Sequence, residues 1–530
     1  MLNSKHYIYL LVLFSILALN ACSFDGFDYD AFIESEKKKA EEELNKEVDA
    51  HFLLQLGKNN SLRSSVTLDG TADENKIKTL TFFVINLDGN DELDWTRVKQ
   101  VSVLAPPDPT NVEVTIKTNI GRKHIYVGAN MSAAQINSFC ANRGKYTSTK
   151  NTYKDVVKDF TDPNQGFVMF GQIKTKEATP SSIIEIQGEE IIPVSVELKR
   201  VASKVALTYT QDAIRGEGYA SIASGIGGFI DADSIHFMLN TTSKSIDFIQ
   251  STTPKYVMSD YIEEDTNPAH QTAYHYIKDP TQDFMLYTPQ GAVPGVTGGS
   301  NFPTATVQLP IEIPAGSDNP YRQGLITPDG SIPNSYWHNY SSLYCLENTV
   351  STSGFESHPN LKELRRGINT QVIVAAKYIP DEINHYIGGS MVPYHPTTLK
   401  PDRASIHTEM KTITNNDPNG PYTFYAVLIP DTDPARYNYY TYDAKVHMDA
   451  HDPKNFITYK GGYGYYSTFV SQSKPMEEDK YYNLKRNNYY ILNVEKFIPP
   501  GAVYPQQLYM LVNSQTIEWS FQKTIDVPLD

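Results

Sequence analysis

Val48-Asp49-Ala50-His51-Phe52-Leu53-Leu54-Gln55-Leu56 is the stretch from which the rest of the chain can be read. Val48, Ala50, Phe52, Leu54 and Leu56 fall at every second position, and period two puts all these side chains on one face of an extended chain. So short a strand cannot bury that face alone, so it must pack on a sheet formed by the chain that follows. Its surroundings suggest a precursor. Upstream lie an apolar leader, a cysteine and a charged spacer. Downstream comes Arg63, in the polar stretch Asn59-Asn60-Ser61-Leu62-Arg63-Ser64-Ser65, the kind of exposed loop a protease can enter. A cut between Arg63 and Ser64 would release the strand from a folded domain and leave an apolar groove. Lys58 is the local competitor for the cut.

In the leader, Lys5 supplies a positive start, and the run from Tyr7 to Leu19 is interrupted only by Ser15. That run is too short for a membrane-spanning helix of about 20 residues and fits a secretory signal over residues 1–21. Leu19-Asn20-Ala21-Cys22 resembles the bacterial lipobox, in which the cysteine is lipidated and becomes the new N-terminus. Two or three acyl chains on Cys22 would anchor the chain stably where one would not. A plain signal peptide with a chance cysteine is the alternative. Ala31 to Glu47 is rich in Lys and Glu pairs three and four apart, which support a spacer helix. Asp25, Asp28 and Asp30 resemble the acidic export signal of surface lipoproteins in the Bacteroidetes, or else form a polar linker. Residues 22–63 therefore read as a propeptide.

The remainder has the composition of an exported all-β protein. The whole chain carries 36 Tyr, 31 Gly and 32 Pro in 530 residues with only 20% charged, which favours strands and turns over helices. A net charge of −15 argues against nucleic acid, whose phosphates would be repelled. Cys140 and Cys345 could form one disulfide at most, and without clustering they read as small buried hydrophobes. No His-Glu-x-x-His, Gly-x-Ser-x-Gly or phosphate-binding loop is present, so the reading is of a non-enzyme with no cofactor and no metal. Asp88 to Asp94 is acidic enough for a calcium loop, but Leu93 stands where the turn needs glycine, and a hairpin tip is the better reading. The clusters Tyr437 to Tyr442 and Tyr463 to Tyr466 suit sheet packing better than glycan stacking.

Strands are expected at Ile77 to Leu87, Val112 to Lys117, His124 to Ala129, Phe167 to Gln172, Ile183 to Gln187 and Val194 to Tyr209, the last broken at Arg200 to Lys204. A short helix should run from Ala133 to Asn142 behind a Ser132 cap. Residues 64–210 thus suit one β-sandwich. Residues 211–530 suit a second with long Gly/Pro-rich loops, its strands at Ser342 to Glu347, Thr370 to Tyr378, Tyr422 to Ile429 and Tyr489 to Phe497. Near the C-terminal end Ile517, Trp519 and Phe521 alternate, and Ile525, Val527 and Leu529 alternate again. Such an apolar stripe needs a groove. A donated strand is one use for it, with main-chain hydrogen bonds supplying affinity and side chains supplying register. Pairing within its own domain is the other.

These segments, in this order, resemble the fimbrillins, the lipoprotein-derived pilins of Bacteroidetes fimbriae. The resemblance rests on Leu198-Lys199-Arg200-Val201-Ala202-Ser203-Lys204-Val205, Leu343-Tyr344-Cys345-Leu346-Glu347-Asn348 and Gly464-Tyr465-Tyr466. It rests most specifically on Leu484-Lys485-Arg486-Asn487-Asn488-Tyr489-Tyr490 with the turn Pro499-Pro500-Gly501, and also on Ile125-Tyr126-Val127-Gly128-Ala129-Asn130. It implies two Greek-key, transthyretin-like sandwiches with a few short helices. It also implies a lipid-anchored outer-membrane precursor, a cut after Arg63 by an arginine-specific protease, and polymerisation by strand exchange into a surface fimbrium. Partners would be copies of the chain or related fimbrial subunits, and host or bacterial surface ligands. A glycan-binding surface lipoprotein, or a tip or anchor subunit, is the alternative.

Overall fold

The computed structural model describes residues 34–35, 38–39, 46–56, 67–69, 73–104, 112–150, 153–177, 179–189, 191–209, 214–215, 219–220, 227–251, 253–260, 262–264, 275–277, 284–285, 311–312, 342–351, 353–354, 368–396, 403–430, 436–470, 483–502 and 510–520. These residues are mostly strand, arranged in several sheets, with four α-helices among them. None of those helices is long and apolar enough to cross a membrane.

The N-terminal strands are β1 (Glu47–Leu56), β2 (Thr67–Asp69), β3 (Thr79–Leu87), β4 (Leu93–Leu104), β5 (Val112–Asn119), β6 (Gly121–Ala129), β7 (Lys145–Thr147), β8 (Met169–Thr175), β9 (Ile183–Ile186), β10 (Ile191–Val196), β11 (Lys199–Arg200) and β12 (Ala202–Tyr209). One sheet runs β4-β3-β6-β8-β10-β1-β5, with β9 on β6 and β11 on β8. Leu80, Phe82 and Val84 of β3 share a single core with Ala50, Phe52 and Leu54 of β1 and with Val112, Val114 and Ile116 of β5, so the two ends of the sheet meet. The opposite face of β3, β6 and β8 presents Phe83, Tyr126 and Phe170. Two helices cover it, α1 (Ala133–Ala141) with Phe139 and α2 (Tyr153–Thr161) with Val156 and Phe160. The cap of α1 is the expected one: Ser132 accepts from the Gln135 amide while the Gln135 side chain accepts from the Ser132 amide.

The second half contributes β13 (Phe229–Asn240), β14 (Ser245–Asp247), β15 (Ser342–Leu346), β16 (Gln371–Ile379), β17 (Ile383–Ile387), β18 (Ser390–Tyr394), β19 (Phe424–Ile429), β20 (Arg436–Tyr440), β21 (Ile457–Tyr459), β22 (Tyr463–Phe469), β23 (Asn488–Phe497) and β24 (Met510–Ser520). Three sheets organise it: β2-β24-β23-β12-β15, one containing β13-β16-β22, and β18-β17-β20-β19-β21. A core from Val205 to Phe497 joins them. Two further helices, α3 (Arg403–Ile413) and α4 (Tyr442–His451), accompany the third sheet. Tyr439 and Tyr466 are buried in strands as expected, whereas Tyr442 opens α4.

Some elements differ from the sequence reading. The stretch Val194 to Tyr209 divides: β10 and β11 stay in the first sheet, while β12 pairs antiparallel with β15 and parallel with β23. Val205, Ala206 and Leu207 consequently pack in the second core. The long strand β4 was not anticipated because it ends the sheet order and keeps an exposed face, so its sequence need not be apolar. Asp88 to Asp94 is a hairpin tip, in which the Asp88 carboxylate accepts from the amides of Asn90 and Glu92 at 2.7 and 3.0 Å.

Candidate assembly site

β1 is an interior strand. It runs parallel to β10, pairing from His51 with Ile191 to Leu56 with Val196, and antiparallel to β5, pairing from Glu47 with Asn119 to Leu54 with Val112. Ala50, Phe52 and Leu54 are 0, 1 and 0% exposed, and Val48 packs half-buried against the same core. Burying each large side chain of this kind is worth about 1.5–3 kcal/mol. Among the described strands β5 pairs with β1 alone. Without β1, β5 would have no partner in the sheet, and the amide edges of β5 and β10 would face each other across an apolar slot.

The outward face of β1 carries polar contacts. His51 Nδ1 shares a hydrogen bond with Thr115 Oγ1 at 3.0 Å, and Asp49 stands opposite Lys117. Glu47 forms an ion pair with Lys99. The Lys99 hydrogen bond and charge, helped by Lys117, hold the Glu47 carboxyl below its usual range. Nearby, Lys123 is 1% exposed and donates to Asn86 Oδ1 at 2.6 Å. Burial, and then the charge of Lys99, push its ammonium down to about 8.

The motifs that carry the family resemblance come together at a buried polar junction between the two cores. Glu74, 2% exposed, accepts from Lys204 Nζ at 2.8 Å and from Tyr344 Oη at 2.6 Å. Arg200, 1% exposed, donates through Nε to the Glu74 carbonyl at 3.2 Å and also reaches the Asn75 side chain, while its amide donates to Asn487 Oδ1 at 3.0 Å. Burial, then the Glu74 charge, raise the Tyr344 hydroxyl far above its ordinary range, so it stays a donor. Arg486 donates to Glu347 at 2.9 and 2.5 Å and to the carbonyls of Phe248 and Asp247. Asn130, at φ +57°, grips the segment leading into β3: its side chain donates to the Lys76 and Phe167 carbonyls and accepts from the Lys78 amide. Gly464 lies so close to the Pro500 carbonyl that no side chain would fit. Glu74 gave no sequence signal, since a glutamate in a polar loop is marked only by what folds against it.

Of the anticipated site residues, Val48, Ala50, Phe52 and Leu54 line one face of β1, and Leu56 is its last residue. Cys22, Lys58, Arg63, Ser64, Ile525, Val527 and Leu529 lie outside the described residues. Cys140 and Cys345 are both free thiols, half-buried and buried. Among the described residues no three His, Cys, Asp or Glu side chains are grouped to hold a metal ion.

Residues 51–200 match the family model of the major fimbrial subunit protein FimA. Residues 51–200 are thus similar to a FimA-type fimbrial subunit domain. That family is one of structural, non-enzymatic subunits. The match begins within β1 and ends at Arg200, the last residue of β11, so it spans the sheet that contains the interior strand. No curated protein matches the chain. Among solved structures, a fimbrillin FimA of Porphyromonas gingivalis aligns at 13% identity over 90% of this chain and 98% of that one, with a TM-score of 0.37. The C-terminally truncated tip fimbrial protein Mfa3 of the same organism aligns at 10% identity over 89% and 100%, with a TM-score of 0.31.

Proposed function

We propose that this chain is the precursor of a fimbrial subunit that polymerises by protease-triggered strand exchange. Lipidation at Cys22 holds it to the outer membrane, and an arginine-specific protease cuts between Arg63 and Ser64. The strand containing Val48, Ala50, Phe52, Leu54 and Leu56 then leaves, and Ile525, Val527 and Leu529 of a neighbouring copy or a related subunit take its place. The product is a cell-surface fimbrium that supports adhesion to host or bacterial ligands. Both halves are β-sandwiches in this reading. The first runs over residues 64–210 and the second over residues 211–530, and the pairing of β12 with β15 and β23 favours a boundary nearer Arg200.

One observation carries the reading: the strand that precedes Arg63 is interior to the sheet and is the sheet partner of β5. A strand held in that way completes the domain before the cut and leaves an unfilled slot after it. N-terminal sequencing of surface-extracted protein tests it, with a mature start at Ser64 expected and an Arg63→Ala variant expected to lose its SDS-resistant ladder. A start at Cys22 would mark a permanently anchored lipoprotein and overturn the reading. Deletion of Ile525 to Asp530 should abolish the ladder while leaving the cut intact.

A further inference from the structure

A replacement for β1 meets charged neighbours as well as an apolar slot. Glu47 is paired with Lys99 of β4, and Asp49 stands opposite Lys117 of β5. Lys99 and Lys117, from two strands, therefore stand beside the start of β1, and β1 brings two carboxylates to them. Charges at an interface select partner and register more than they add affinity, and a like-charged cross-strand pair disfavours its register.

The chain contains the β1 pattern a second time. Val48-Asp49-Ala50-His51-Phe52 has the order apolar, Asp, apolar, any, apolar, and Ile525-Asp526-Val527-Pro528-Leu529 repeats it. Laid on β1 in the same direction, Ile525 takes the place of Val48, Val527 that of Ala50 and Leu529 that of Phe52. Asp526 then replaces Asp49 opposite Lys117. Other registers fail on charge or size. Two residues further along β1, Lys523 would replace inward-facing Val48; two residues back, Leu529 would have to fit where Ala50 is fully enclosed. Reversed over the same three positions, Pro528 would face Lys117 in place of the aspartate.

We propose that the segment Ile525 to Leu529 of a second copy enters the slot in the direction of β1, its register set by Asp526 opposite Lys117. This rests on the strand-exchange reading above and adds the direction, the register and a residue that selects the partner. Asp530 falls at the position of Leu53, opposite Glu113, so Glu113→Lys should speed assembly.

Paired cysteines read the register directly, because directly opposite residues in a ladder lie about 4.5–5.5 Å apart, within reach of a disulfide. In the full chain with Cys140→Ser, cut by an arginine-specific protease, Lys117→Cys with Asp526→Cys should give ladders that become covalent on oxidation and revert on reduction. Glu113→Cys with Asp526→Cys should not. Separately, Lys117→Glu should slow ladder formation about tenfold, and adding Asp526→Lys should restore it. Crosslinking at Glu113→Cys, or no restoration by the charge swap, overturns the register while leaving strand exchange standing. Absence of any ladder from the cut parent chain overturns strand exchange and the register with it.

Discussion

Replacing Phe52 by alanine in the uncut chain should unzip two strands and spare the rest. Phe52 is 1% exposed, in a core shared by β1, β3, β5 and β10. Truncating a buried phenylalanine costs about 3–5 kcal/mol, transfer and cavity together. At about 1.4 kcal/mol per tenfold, amide protection should fall by about a hundredfold to about four-thousandfold where opening needs only β1 to leave. β5 has its sheet hydrogen bonds with β1, so Val112–Asn119 should lose protection in step with Glu47–Leu56. β23 lies in another sheet and packs in another core, so Asn488–Phe497 should keep its protection. Native-state hydrogen exchange read by mass spectrometry distinguishes the three segments. If Val112–Asn119 kept its protection while β1 lost it, or if β23 fell by the same factor, the account of β1 as a separately releasable strand that holds β5 would be wrong.

Other expectations concern the junction and the buried lysine. Glu74→Ala leaves Lys204 buried without its carboxylate and should cost about 3–5 kcal/mol in chemical denaturation, whereas Glu74→Leu with Lys204→Met should recover most of that loss. Lys123 binds its proton less tightly folded, at about 8, than in the unfolded chain, where 10.5 applies. Its burial therefore opposes folding below pH 8, and stability should rise as pH climbs from about 8 towards 10.5. Lys123→Met should abolish that rise and stabilise the protein at neutral pH by up to about 3 kcal/mol, as denaturation midpoints across pH would show. Gly464→Ala drives a methyl group into the Pro500 carbonyl and should cost about 1–3 kcal/mol, lowering the thermal midpoint.

The fimbrial resemblance was legible in short motifs, and the fold shows what several of their residues do. Arg200, Lys204, Tyr344 and Asn487 come from distant segments and meet around Glu74 and Asn75, where a changed side chain would strand a charge or a donor. The helices α3 and α4 were not anticipated. Arg403–Ile413 and Tyr442–His451 contain many β-branched, aromatic or histidine residues, whose helix propensity is modest, and burial of Ile406, Met410 and Ala444 decides the outcome.

Alternation by itself established that Val48 to Leu56 is a strand with one apolar face, because side-chain direction along an extended chain is a local property. The capped helix after Ser132 was legible for the same reason, its cap being made within four residues. Only the tertiary structure decided that β1 lies between β5 and β10, that β12 belongs to the second core, and that Glu74 is buried. Strand partners and buried ion pairs join residues far apart in the chain, and period-two spacing is the same for an interior strand as for an edge.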